Sequence, residues 1–131
     1  MPERRVAEIV GVYRADGGVR GELAYVVGRL LGGAHCSLCD ITHATVRRKP
    51  DWDALVRRLG VPVTLLHLNE MPPEVAALVA RTTSPVVLVR DGDRLLEMLL
   101  DASGLDALGG SVAGFEAAVR DALARRGWSL P

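Results

Sequence analysis

The sequence has no excess of charge of either sign. Its 131 residues carry 16 basic and 16 acidic side chains, which gives a formal net charge of zero and an isoelectric point near 6.8. A surface that binds nucleic acid normally shows a basic excess or a basic stripe, so this balance argues against a nucleic-acid partner. The short basic run at 47–49 precedes Pro50, and we interpret it as a solvated helix end.

Long hydrophobic runs are also missing. No apolar stretch approaches the roughly 18 to 20 residues that a membrane-spanning helix needs. The first residues, Met1 to Arg5, lead into a strand-like run without the apolar core of a signal peptide. We therefore expect no membrane partner and a cytoplasmic location, in which thiols are kept reduced. The sequence also lacks a G-x-x-x-x-G-K-[ST] phosphate loop and a Ser-His-Asp signature.

Cysteine is scarce, and both cysteines lie in the short segment His35–His43, together with two of the three histidines. In a helix, Cys36, Cys39, Asp40 and His43 fall at i, i+3, i+4 and i+7 and share one face. Two thiols, a carboxylate and an imidazole on one face suit two chemistries. These are thiol–disulfide exchange and the binding of a transition metal.

Thiol–disulfide exchange assigns a role to each residue of this segment. A cysteine at a helix N-terminus has a lowered pKa, because the helix dipole and unpaired N–H groups stabilise its thiolate. Cys36 would then be the attacking thiol and Cys39 the resolving thiol. His35 or His43 would promote the thiolate, and Asp40 would oppose it. The partner would be a thiol or a disulfide, on a protein or on a small molecule.

A zinc site is the alternative for the same residues. Zinc takes four nitrogen or sulfur donors, and a C-x-x-C segment supplies two of them. The ligands would be Cys36, Cys39 and His43, with Asp40 or His35 as the fourth. A second C-x-x-C or H-x-x-x-H segment is missing. In a third, purely structural interpretation, both cysteines are small buried residues and His43 is a hydrogen-bonded core residue.

The order of strands and helices along the chain predicts a mixed α/β sheet. The first half of the chain predicts a strand over 6–13, a helix over 21–31, a helix that opens at the cysteines and stops before Pro50, and a helix capped by Asp51 and closed by Gly60. The second half predicts a strand over 61–68 and a helix opened by Pro72 and Pro73. A hairpin of 86–89 and 95–100 around Asp91-Gly92 follows, and then a helix capped by Ser111. Strands that alternate with helices require helices on both faces of the sheet.

This order resembles the thioredoxin superfamily. In that family a strand is followed by a helix with C-x-x-C at its N-terminus, and a cis-proline before the third strand lies against the cysteines. Here Ser84-Pro85 directly before Val86 occupies the matching place, and Asp91-Gly92 matches the hairpin turn. The resemblance implies a single thioredoxin-like domain over 1–131. The predicted catalytic residues are Cys36, Cys39, His43 and Pro85.

The helix predicted over 21–31 departs from the family pattern, because it separates the first strand from the C-x-x-C segment. One explanation is an inserted helix, after which the Cys36 helix has the usual active-site role. The other is that 21–31 is the first helix of the fold and the cysteines lie at its far end, remote from Pro85. Both explanations remain open at this point.

Two short segments resemble a group of small, uncharacterised bacterial proteins. These segments are Tyr13-Arg14-Ala15-Asp16 and Cys36-Ser37-Leu38-Cys39-Asp40-Ile41-Thr42, which follow a Y-x-A-D and a C-x-L-C-x-x-T pattern. The resemblance implies kinship but no activity. Among single residues, Asp16 follows the first strand, and strand C-termini face the ligand crevice in open α/β sheets. His67 is predicted to lie within the strand 61–68 as a core or sheet-face residue.

Overall fold

The computed structural model describes residues 4–13, 37–42, 49–92 and 96–131. The helix predicted over 21–31 lies outside these residues. In chain order the elements are β1 (Arg4–Val12), α1 (Ser37–Thr42), α2 (Pro50–Leu59), β2 (Val63–Leu66), a 3₁₀ turn (Leu68–Glu70), α3 (Pro73–Val79), β3 (Val86–Asp91), β4 (Leu96–Leu100), α4 (Ala102–Asp106), α5 (Val112–Arg125) and β5 (Trp128–Ser129).

The strands form one mixed sheet in the order β2-β1-β3-β4, with β5 paired to β1. β1 and β2 are parallel, whereas β3 is antiparallel to both β1 and β4. A parallel pair requires a crossover connection, and the chain between β1 and β2 passes through α1 and α2. The predicted α/β class with a mixed sheet is therefore confirmed.

Helices cover both faces of this sheet, as the alternation of strands and helices predicts. Successive residues of β1 point to opposite faces, so that Ile9 belongs to one apolar cluster and Val10 to another. The larger cluster includes Trp52 of α2 and Phe115 of α5, whose rings lie 5.1 Å apart. On the other face, α3 contributes Val75 and Val79; the strand residues packed with them are Val10, Val12, Val86 and Leu88.

Of the two cap residues predicted for α2, the structure confirms the one at the end of the helix and not the one at its start. Gly60 closes the helix in the left-handed conformation, with φ of 72°, and its N–H donates to the Val56 carbonyl, as predicted. The prediction that Asp51 caps the start is wrong. Lys49 is the N-cap and Pro50 occupies the first turn, because proline has no N–H to satisfy there and its fixed φ suits a helix start.

The predicted start of the last long helix is confirmed. Ser111 Oγ accepts a hydrogen bond of 2.9 Å from the Gly114 N–H, which is the N-cap geometry. The buried face of α5 includes the predicted residues Val112, Phe115, Val119 and Leu123. Two short elements, α4 and β5, were not predicted. No described helix is long and apolar enough to cross a lipid bilayer.

Candidate functional site

Helix α1, which contains Cys39, is buried in the larger apolar cluster. Leu38 and Ile41 are fully buried, and Cys39 is 7% exposed. Thr42 is the one polar residue among the fully buried positions of the described chain. Cys39 therefore lies in the core, on the side of α1 that the sheet and the neighbouring helices cover.

α1 approaches β1 closely because residue 11 has no side chain. A Cβ added at Gly11 would lie 3.1 Å from Leu38 Cδ2 and 3.0 Å from Leu65 Cδ2. Glycine within a strand is typical of such a close approach. Gly11 thus allows the first turn of α1 to pack directly on the central strand.

The last turn of α1 is attached to the end of β1 by a buried hydrogen bond. Tyr13 Oη lies 2.9 Å from Thr42 Oγ1, and Thr42 Oγ1 donates to the Cys39 carbonyl at 3.4 Å. Either hydroxyl can donate in the shorter bond. This chain of contacts holds the helix of Cys39 at the carboxyl end of β1.

Pro85 lies at the same end of the sheet. The last residue pair between β1 and β3 is Val12 with Val86, and the next residues outward are Tyr13 and Pro85. Pro85 is buried, and the Ser84-Pro85 peptide bond is cis. Pro85 and Tyr13 thus each lie one position beyond the last β1–β3 pair, at the same end of the sheet.

His67 completes a row across this end of the sheet. The Tyr13 N–H donates to the Leu66 carbonyl at 2.8 Å, so His67 follows directly beyond the last β1–β2 contact. The rings of Tyr13 and His67 lie 5.1 Å apart at an angle of 54°. We call His67, Tyr13 and Pro85 the carboxyl-edge row, because they extend from β2 across β1 to β3.

Glu70 fixes the position of the His67 ring. Its Oε1 accepts the His67 backbone N–H at 2.8 Å and lies 2.5 Å from Nδ1. The backbone N–H of His67, followed by its imidazole, holds the pKa of Glu70 below its ordinary value. The Glu70 carboxylate thus contacts both the backbone N–H and the ring Nδ1 of His67.

The prediction for His67 is wrong in one respect. It was placed within a strand over 61–68, but β2 ends at Leu66 and His67 is the N-cap of the 3₁₀ turn. The strand stops there because the Glu70 carboxylate binds the His67 N–H, which no longer pairs along a strand. An acidic residue three positions after the N-cap is a sequence signature of a capping box, and that spacing pointed to Glu70.

The other predicted site residues divide into two groups. Cys39 lies in α1, and the backbone of Asp40 lies beside it in the same helix. His35, Cys36 and His43 lie outside the described residues, as does Asp16. Within residues 4–13, 37–42, 49–92 and 96–131, no three His, Cys, Asp or Glu side chains are grouped to hold a metal ion. The zinc site therefore stays a prediction.

Comparison with protein-family models, with curated proteins and with solved structures found no match to this chain.

Proposed function

We propose that this chain is a thioredoxin-like protein in which Cys36 and Cys39 alternate between a dithiol and a disulfide. The observation that carries the proposal is the 2.9 Å contact between Tyr13 Oη and Thr42 Oγ1. It holds the last turn of α1, which follows Cys39, at the carboxyl end of β1, where Pro85 lies one position beyond the last β1–β3 pair. Pro85 matches the family proline that lies against the cysteines.

The sheet supports the fold part of the proposal. Parallel β1 and β2 are followed by the antiparallel hairpin of β3 and β4 and then by a helix. This is the order of strand, helices, strand, helix, hairpin and helix on which the resemblance depends. In open α/β sheets, ligands bind beyond the carboxyl ends of the strands, and the carboxyl-edge row lies there.

The burial of Cys39 supports its role as the resolving thiol. A cysteine that is 7% exposed is poorly placed to meet a protein disulfide from solution. It is suited to react with a sulfur already attached to its neighbour in the C-x-x-C segment. We therefore assign the attack on the substrate to Cys36.

The exchange takes place in two balanced steps. The Cys36 thiolate attacks a substrate disulfide, a mixed disulfide forms on Cys36, and one substrate thiolate leaves. The Cys39 thiolate then attacks Cys36 Sγ, which forms the protein disulfide and releases the second substrate thiolate. The two protons lost by the cysteines end on the two substrate thiols, so the protein is oxidised as the substrate is reduced.

The test is a redox titration of the purified full-length chain in glutathione buffers, read as the mass added by alkylation of the remaining thiols. We expect one intramolecular disulfide with a midpoint within about −120 to −270 mV, the range of dithiol oxidoreductases. Cys36→Ser and Cys39→Ser should each abolish the intramolecular disulfide, whereas Ser37→Ala, between the two cysteines, should retain it.

Two results would contradict the proposal. One is the absence of an intramolecular disulfide at every potential, together with no reduction of insulin by the reduced protein. The other is about one equivalent of tightly bound zinc that blocks alkylation of both cysteines, which would favour the metal site instead.

A further inference from the structure

The outward side of α3 carries a row of residues at helical spacing. The Arg81 backbone N–H donates to the Leu78 carbonyl at 3.2 Å, so the helical turn continues to Arg81. Positions i, i+3, i+4 and i+7 share one face of a helix. On the side of α3 away from the sheet, these positions are Glu74, Ala77, Leu78 and Arg81. We call these four residues the α3 row.

The α3 row borders an open groove at the edge of the sheet. The groove has a volume of about 210 Å³, and Leu96 of β4 lines it together with the row. Leu78, Leu96 and Met98 are partly buried apolar residues packed against the smaller core cluster. Of the described α-helices, only α3 contributes to this cluster. The middle of the groove is therefore apolar, and a charged residue lies at each end of the row.

The charges at the two ends of the row are opposite in sign. Glu74 Oε1 lies 3.4 Å from Arg90 Nη2, and the Glu74 side chain remains 51% exposed. Arg81 is exposed, and among the described residues no carboxylate forms an ion pair with it. A guanidinium without a counter-charge beside an apolar groove favours a partner that brings a carboxylate.

The α3 row is complementary to itself when a second copy lies antiparallel to it. Glu74 and Arg81 lie equally far along the chain from the midpoint of Ala77 and Leu78, so one twofold axis at that midpoint relates both pairs. Glu74 then faces Arg81 of the second copy, and the small Ala77 faces the larger Leu78. A surface that matches itself in charge and in size suits an isologous interface.

We propose that the α3 row is the interface of a homodimer, in which two α3 helices pack antiparallel about a twofold axis. Leu78 of the second copy enters the groove beside Leu96, and a Glu74–Arg81 pair closes each end. The interface is independent of the thiol chemistry, because α3 packs on the smaller core cluster and Cys39 belongs to the larger one, on the other face of the sheet.

The first test is the molar mass of the full-length protein in reducing buffer, measured by light scattering and by sedimentation over a range of concentrations. The chain has a mass of 14.0 kDa, and we expect twice this value at the highest concentrations. Cys36→Ser should form the same dimer, because no disulfide joins the subunits. A dimer that is lost in Cys36→Ser would be linked by a disulfide and would overturn the proposed interface.

Charge reversal tests the antiparallel arrangement. Arg81→Glu places a carboxylate opposite Glu74 at both ends of the interface, and we expect the dissociation constant of the dimer to rise at least about tenfold. The matched control is Arg57→Glu, because Arg57 is also exposed near the C-terminal end of a helix, on α2. Glu74→Arg should weaken the dimer as Arg81→Glu does. An equimolar mixture of these two variants should form a heterodimer, in which each acid again faces a base.

A substitution in the middle of the row tests the close approach of the helices. Ala77 is exposed, so Ala77→Lys leaves the core of the monomer unchanged but separates the two helices of the dimer. We expect a monomer with the urea denaturation curve of the wild type, and this variant decides if Arg81→Glu does not fold. A wild type that is monomeric at every concentration would leave the groove to a different partner and overturn the proposal. A dimer that Ala77→Lys and Arg81→Glu weaken no more than Arg57→Glu does would also overturn it.

Discussion

Leu38 packs over Gly11 so closely that a methyl group at residue 11 would lie 3.1 Å from Leu38 Cδ2. The same methyl group would lie 3.0 Å from Leu65 Cδ2 on the neighbouring strand. One glycine therefore sets the distance between the cysteine helix and two strands of the sheet.

Gly11→Ala should destabilise the protein. The added methyl group overpacks the space between the buried Leu38 and the partly buried Leu65, and overpacking costs about 1–3 kcal/mol of the free energy of unfolding. Urea denaturation at neutral pH measures this loss. The matched control is Gly92→Ala, where an added Cβ would have no heavy atom within 4 Å. A Gly11→Ala protein as stable as the Gly92→Ala protein would contradict the close packing of α1 on β1.

The Tyr13–Thr42 bond should be measurable as a coupling energy. Tyr13→Phe and Thr42→Val each remove one of the two hydroxyls of the bond, and both residues are almost completely buried. A buried neutral hydrogen bond contributes about 1 kcal/mol, and a double-mutant cycle isolates this contribution from the other effects of each substitution. We expect a coupling of that size from urea denaturation of the four proteins. Strictly additive losses would mean that the two hydroxyls do not interact in solution.

The same cycle has a functional readout. If the bond holds Cys39 for reaction, Tyr13→Phe should raise the alkylation rate of Cys39 as α1 loosens. The mass of the labelled peptide identifies the cysteine. An unchanged rate would restrict the bond to a role in stability.

Glu70 should make stability sensitive to acid. The backbone N–H of His67, then its side chain, lower the pKa of Glu70 from its ordinary value of 4.5. A carboxyl with a lowered pKa contributes stability above its unfolded pKa, and that stability is lost as the pH falls through the folded pKa. The loss therefore lies on the acid side of 4.5.

Urea denaturation at about pH 7 and at about pH 3 measures this loss of stability, since these two pH values lie on either side of the range in which carboxyl groups titrate. The wild type should lose more stability between them than Glu70→Gln does. Asp121→Asn, which removes an exposed carboxylate of α5, is the control for the general effect of losing one charge. An acid sensitivity of Glu70→Gln equal to that of the wild type would contradict the capping role of Glu70.

The strong local patterns of the sequence predicted the elements that depend on them. Ser111 as a cap and Gly60 as a helix end both follow from backbone groups that a neighbour in sequence satisfies. α4 and β5 were missed because a five-residue helix that contains Gly104 and a two-residue strand have too few residues to establish a period. Their positions are set by contacts with distant elements.

The candidate site was predicted only in part, for a related reason. The sequence predicts a role for Pro85 from its place before a strand and from the resemblance to the thioredoxin superfamily. Tyr13, Thr42 and His67 belong to three segments that are far apart in sequence, and the sheet order β2-β1-β3 brings them to one end. No spacing in the sequence specifies that order. The role of Glu70 was not predicted, because its contact with His67 depends on where β2 ends.

The position of β1 affects how the chain is made. β1 is the first described element, yet its partners β2, β3 and β5 all follow it in sequence. During translation its apolar residues, Ile9, Val10 and Val12 among them, leave the ribosome with both hydrogen-bonding edges unpaired. Unpaired strand edges and exposed apolar surface attract other chains and chaperones. β1, which pairs with three other strands in the finished sheet, is thus synthesised before any of its partners. We expect the nascent chain to be vulnerable to aggregation at this strand.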